Sequence, residues 1–135
     1  MSTRFVLQSD SVDFAMLPAF LGAALPIGLL DGAAEARLRL AVHELLTNIS
    51  RHAYGDVNGA IEIEISPLAE AVQLTVTDSG RPFRGEIAPG PPVHSTTGGY
   101  GLSIISEAAD DVEYRRRGPV NRWKLVFRSR TGTLS

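Results

Sequence analysis

Apolar and polar positions along this chain repeat with two different periods, and the switches between them mark its elements. The clearest helical stretch runs from Ala33 to Tyr54. Leu38, Ala41, Val42, Leu45, Leu46 and Ile49 recur there at the spacing that lines one face of an α-helix. Ile61, Ile63 and Ile65 alternate with Glu62 and Glu64, then Val72, Leu74 and Val76 with Gln73, Thr75 and Thr77. Strict alternation with one wet face predicts two half-buried strands, and the short turn over 66–70 makes them an antiparallel hairpin. Earlier, Phe5–Leu7 predicts a first strand, and Ser9–Asp13 a helix start capped by Ser or Asp. That helix passes through Phe14, Leu17, Phe20 and Leu21, with Pro18 in an early turn or at a kink. Residues 26–32 and 55–59 read as breaks.

Residues 81–101 hold four of the eight prolines and five of the 13 glycines, too many for a regular element. A loop this long in a compact domain is usually functional. Beyond it, Leu102–Ala109 predicts a helix opened by glycines. Val112–Arg116 and Arg122–Phe127 predict two strands around a Gly118–Pro119 turn. The order β-α-α-β-β-loop-α-β-β predicts an α+β, two-layer sandwich with helices on one face of a mixed, mostly antiparallel sheet.

Composition narrows the function classes. The 135 residues fit a single domain, and the absence of cysteine excludes a disulfide scaffold, a cysteine zinc site and thiol chemistry. A net charge of −2 argues against a nucleic-acid partner, because phosphate contact needs a basic surface. Phe14–Leu30 is broken by Pro18, Gly22 and Pro26, so neither a membrane span nor a signal peptide is expected, and the expected location is cytoplasmic.

Three constellations bear chemistry. Glu44, Asn48 and His52, spaced i, i+4, i+8, share one helix face beside the apolar stripe. A carboxylate and a carboxamide one turn apart can serve a hard cation and its waters, or a proton transfer. A solvated helix edge has the same pattern. Asp78-Ser79-Gly80-Arg81-Pro82-Phe83 follows a strand: its carboxylate can accept an exocyclic amine beside a glycine that admits a flat ring, or it is a plain turn. Gly98-Gly99-Tyr100-Gly101-Leu102 opens a helix, as a phosphate seat or a flexible exit from the loop, and it is not a Walker A sequence. His43 points about 100° from Glu44 and reads as a structural or surface residue; His94 lies in the loop.

In this order the three stretches resemble the N, G1 and G2 boxes of the GHKL ATPases: Glu44–Tyr54, Asp78–Phe83 and Gly99–Ile105. The His52-Ala53-Tyr54 ending is similar to the anti-sigma factor serine-protein kinase branch typified by RsbW and SpoIIAB. The resemblance spans residues 33–127 and implies a Bergerat fold binding ATP and Mg²⁺ as one domain over 1–135. Residues 1–32 would form its N-terminal strand and helix segment, and residues 81–99 an ATP lid. It implies Glu44 as general base and Asn48 as the Mg²⁺ ligand. It further implies nucleotide contacts from Asn48, His52, Asp78, Gly80, Pro82, Thr97, Gly98, Gly99, Tyr100, Gly101 and Leu102. Arg81 or Arg84 would offset charge on the γ-phosphate. The implied reaction is phosphorylation of a serine or threonine on a STAS-type antagonist protein. A sigma factor or other regulated protein would be the second partner, and the state a homodimer. A nucleotide-gated binding module without turnover and a histidine-kinase-like ATPase are the alternatives. Many relatives carry a Thr in the last strand that reaches the nucleotide; the matching stretch here, 121–125, sets Lys124 near that position.

Overall fold

The computed structural model describes residues 2–9, 13–54, 58–83 and 99–130. Strand β1 (Thr3–Gln8) leads through a 3₁₀ turn (Asp13–Met16) to α1 (Leu17–Ala24) and α2 (Gly32–Asn48), which a π-helical segment (Ile49–Tyr54) extends. Then come β2 (Ala60–Leu68), β3 (Ala71–Asp78), α3 (Gly99–Ala108), β4 (Asp111–Arg117) and β5 (Val120–Phe127). The strands form one sheet in the order β1-β2-β3-β5-β4. All four pairings are antiparallel, so among the described residues the sheet has no parallel pair.

The alternation seen in the sequence decides which face is buried. Ile61, Ile63, Ile65, Leu74, Val76, Trp123 and Leu125 are buried against helical residues including Leu38, Val42, Leu45 and Ile105. Glu62, Glu64, Thr75, Thr77, Arg122 and Lys124 occupy the intervening positions and keep contact with water. The α2 stripe Leu38, Ala41, Val42, Leu45, Leu46 and Ile49 is buried as expected. Asp31 caps that helix by accepting the Ala34 N–H at 2.8 Å, with Glu35 in the first turn complementing the dipole. Phe5 stacks on Phe20 at 4.6 Å and ties β1 to α1.

Three local expectations change. Ser9 does not cap a helix: it is buried, its N–H donates to the Gly59 carbonyl at 2.7 Å and its Oγ accepts the Gly59 N–H at 2.9 Å. Pro18, by contrast, keeps its expected place in an early turn, the first of α1, where its missing N–H goes unused. β2 runs on through Ser66, Pro67 and Leu68 rather than turning at Ser66. The last β1 pair is Thr3 with Ile65, so Pro67 lies where only β3 adjoins, an edge-like position that tolerates proline. The chain then reverses at Ala69–Glu70, with Glu70 in the left-handed region at φ 61°. α3 begins at Gly99, three residues before the expected Leu102, so its glycines form the first turn instead of preceding it.

The chain past β5 is tied down by one carboxylate. Asp110 accepts the Arg128 N–H at 2.8 Å and Arg130 Nε at 3.0 Å, and Arg37 of α2 approaches it at 3.5 Å. Arg37 also donates to the carbonyls of Ala108 and Arg128, each at 2.8 Å. Burial pushes the Asp110 carboxyl up, but the Arg128 N–H and the two guanidiniums together outweigh it and hold it below the usual 3.8. A carboxyl with a lowered folded pKa stabilises the fold above its unfolded value and loses that contribution as pH falls through the folded value. We expect Asp110→Asn to lower stability at pH 7 by about 1–3 kcal/mol. The gap to wild type should close below roughly pH 4, as urea unfolding at the two pH values would show.

Candidate nucleotide-binding site

The site is built where α2 ends and β3 ends. Glu44 and Asn48 sit one turn apart on α2, both half-buried. At Ile49 the backbone passes from α- to π-helical winding, a rare geometry frequent at functional sites. The i, i+8 spacing that puts His52 on the Glu44 face assumes α-helix throughout. The winding changes before it, and the His52 side chain lies outside the described residues. His43 is a surface residue, as expected, with Nδ1 at 3.7 Å from Glu44 Oε2.

The helix end closes directly onto the turn after β3. The Arg81 N–H donates to the Ala53 carbonyl at 2.8 Å. The Tyr54 hydroxyl donates to the Ala60 carbonyl at 2.7 Å and accepts the Ser79 N–H at 2.8 Å. Burial pushes the Tyr54 hydroxyl above its ordinary 10.0, opposed by the Ser79 N–H and reinforced by the Asp78 charge, so it stays a donor. Two glycines make room for these contacts. A Cβ on Gly59 would lie 2.2 Å from the Tyr54 ring, and one on Gly80 would lie 2.5 Å from the Ala53 carbonyl oxygen. Gly80 is therefore needed first for the approach of helix to turn.

Asp78 is 2% exposed and belongs to a cross-strand row on the helix-facing side: Ile61, Asp78, Asn121 and Arg116. Its Oδ1 accepts the Gly80 N–H and Asn121 Nδ2, both at 2.8 Å. Among the described residues, its Oδ2 is buried with no hydrogen-bond partner, and so is Asn48 Nδ2. Buried polar atoms are nearly always paired, and Ser106 Oγ on α3 is a third exception among the described residues. Phe83, at the far end of the turn, packs edge-on against Tyr114 and Trp123 and donates its N–H to the Tyr114 hydroxyl at 2.9 Å.

The remaining expected residues divide clearly. α3, which carries the Gly99–Leu102 stretch, packs against α2, although the side chains of that stretch are outside the described residues. Pro82 is exposed. Thr97, Gly98, Arg84, His94 and nearly all of the expected lid lie outside the described residues. Lys124 is a correction: it pairs with Thr75 on the outer face and lines a basic groove with Arg115, Arg117 and Arg122. The residue opposite Asp78 is Asn121, which sequence reasoning passed over. Its signal was parity, since Asn121 shares the alternation of buried Trp123, Leu125 and Phe127.

The family model for the histidine kinase-like ATPase domain matches residues 10–127. This chain belongs to that family. Curated relatives include "Serine-protein kinase RsbW" of Oceanobacillus iheyensis, 33% identical over 56% of this chain and 54% of its own length. The protein of the same name from Bacillus subtilis is 29% identical over 62% of this chain and 58% of its own length. The chain thus spans a little over half of each relative. A histidine kinase domain from the blue-light activated histidine kinase of Erythrobacter litoralis EL346 shares the fold. Its TM-score is 0.54 at 23% identity, covering 70% of this chain and 44% of its own.

Among the described residues no three His, Cys, Asp or Glu side chains converge to cage a metal. One carboxamide with a carboxylate a turn away fits Mg²⁺ that is held mostly by phosphate oxygens and water. We expect Gly80→Ala to destabilise the domain by about 1–3 kcal/mol, since the added methyl meets backbone that is itself hydrogen-bonded. Thermal unfolding within error of wild type would show that the helix end and the turn can part freely.

Proposed function

We propose that this chain is an ATP-dependent protein kinase of the anti-sigma factor type. In this reading it moves the γ-phosphoryl group of ATP to a serine or threonine of a STAS-type antagonist, and it sequesters a sigma factor or another regulated protein when that antagonist is modified. The observation that carries the nucleotide half of this reading is the pair of buried, unpartnered atoms, Asp78 Oδ2 and Asn48 Nδ2, in the two motif positions of an ATPase-domain family member. The relatives' name, serine-protein kinase, supports the choice of acceptor. The absence of a membrane-crossing helix among the described residues fits a circuit of diffusing partners.

The roles follow from the chemistry of each group. Asp78 Oδ2 accepts a hydrogen from the exocyclic amine of adenine. The Asn48 carboxamide would hold Mg²⁺, which would supply charge neutralisation beside the phosphates. Glu44 takes the proton from the incoming hydroxyl, a step that positioning and moderate basicity suffice for. The amides opening α3 face the phosphates, where the helix dipole favours negative charge. His52, Gly80, Pro82, Thr97, Gly98, Gly99, Tyr100, Gly101 and Leu102 complete the nucleotide contacts. Arg81 or Arg84 offsets γ-phosphate charge, and residues 81–99 act as the lid of a single domain over 1–135. A homodimer in the cytoplasm completes the reading.

Calorimetry with ATP and Mg²⁺, followed by labelled transfer to a purified STAS-domain protein, tests it. Wild type is expected to bind ATP in the micromolar range, and Asp78→Asn about tenfold more weakly or worse, because the amide turns a donor or a weaker acceptor to the base. Glu44→Ala should still bind ATP while transfer drops by about a hundredfold. Binding by wild type without any transfer would leave a nucleotide-gated binding module; no binding at all would remove the nucleotide reading.

A further inference from the structure

Asn121 meets five polar groups around the turn, and its arrangement has a directional consequence. It is 2% exposed and lies directly opposite Asp78 in the β3–β5 register. Its Nδ2 faces three acceptors: Asp78 Oδ1 at 2.8 Å, the Arg81 carbonyl at 2.9 Å and the Gly80 carbonyl at 3.2 Å. Its Oδ1 faces two donors, the Tyr114 hydroxyl at 2.5 Å and Arg116 Nη1 at 2.9 Å. Arg116 Nη1 also reaches the Gly80 carbonyl at 2.9 Å. Because Arg116 Nη1 can only donate, the amide atom it shares with Tyr114 is the oxygen, so Tyr114 gives its own hydrogen to Asn121. The amide therefore has one orientation, with donors toward Asp78.

We infer that Asn121, fixed by Tyr114, is a positioning residue that sets which way the Asp78 carboxylate presents itself to the base. The terminal torsion of an aspartate is soft and nearly two-fold. Asn121 and the Gly80 N–H hold Oδ1, which leaves Oδ2 as the acceptor aimed at the ligand. A 6-amino purine offers that oxygen a hydrogen, whereas a 6-oxo purine sets an acceptor against it and leaves a buried charge unpaired. This inference rests on the nucleotide reading above and adds to it the residue that enforces the choice of base. Asn121 does not itself touch the ligand in this scheme.

The test compares ATP with inosine triphosphate by calorimetry on the full chain, with thermal unfolding as a check on folding. Wild type should prefer ATP. In Asn121→Leu the preference ratio should shrink by about fivefold or more, since the carboxylate can then turn; a purely structural loss would weaken both nucleotides alike. Asn121→Asp places a carboxylate against Asp78, flanked by Arg116 and by the hydroxyls of Tyr114 and Tyr54. Two such groups share a proton as pH falls, which restores a donor facing Oδ1. Relative to wild type at the same pH, its ATP affinity should be about tenfold lower at pH 7.5 and recover about threefold by pH 5.5. Should the buried variants not fold, Tyr114→Phe carries the same expectation at about twofold in the ratio, because the amide loses the donor that fixes it. Wild-type ratios and pH profiles in these variants, with wild type binding ATP, overturn the role of Asn121 alone. A wild type that binds neither nucleotide overturns the nucleotide reading and this inference together.

Discussion

A carboxylate taken out of water is costly unless hydrogen bonds replace its hydration, and in this fold that constraint falls on Asp78. Its two bonds from Gly80 and Asn121 are possible only because three separate stretches meet at one end of the sheet. The turn after β3 must curl back, β5 must register with Asn121 opposite, and the end of the long helix must press on Gly80. Half of the carboxylate is thereby satisfied, and among the described residues the other oxygen is buried and unpaired. Native interiors otherwise pair their polar groups, and that exception is what the proposed nucleotide reading rests on.

The rest of the architecture serves that meeting point. The apolar faces of the sheet and of α1–α3 make one core, and the core ends in a row that changes from Leu7 and Ile61 to Asp78, Asn121 and Arg116. The change from apolar to polar along a single row is what converts a sheet edge into a site. The π-helical segment has a matching role. It carries Ala53 and Tyr54 to the turn, where a carbonyl and a hydroxyl bind the Arg81 and Ser79 amides. The aromatic cluster of Phe83, Tyr114 and Trp123 anchors the far side of the same turn, so the segment is held at both ends. The Asp110 clamp is remote from this chemistry and acts on the fold alone, fastening residues 128–130 to α2 and α3.

Much of this was legible beforehand because it depends on local periodicity. The α2 stripe and the alternation in β2, β3 and β5 each report a face toward a core, and a core face needs no knowledge of what covers it. Spacing alone left Glu44, Asn48 and Asp78 open between a solvated helix edge, a plain turn and a ligand site, and only the resemblance of the three stretches, taken in order, singled them out. Boundaries were less legible. Pro67 reads as a turn residue in isolation, but β1 ends before it, which makes its place in the strand acceptable. Ser9 reads as a cap, but Gly59 and Ser50, far along the chain, engage its backbone and side chain instead.

The sequence by itself determined the order of elements, the buried faces and the residue types able to meet a nucleotide, since each follows from dihedral periods and side-chain chemistry within a few residues. Tertiary structure alone decided which strand residues face one another. The alternation of Trp123, Leu125 and Phe127 fixes the face that Asn121 shares, but a slip of two positions would keep that face inward and set Trp123 opposite Asp78, and no local signal excludes it. It also decided that Gly80 serves the helix end, because the Ala53 carbonyl comes from a distant part of the chain. Register and close approach are properties of pairs of segments, and only the packed molecule specifies which segments form the pairs.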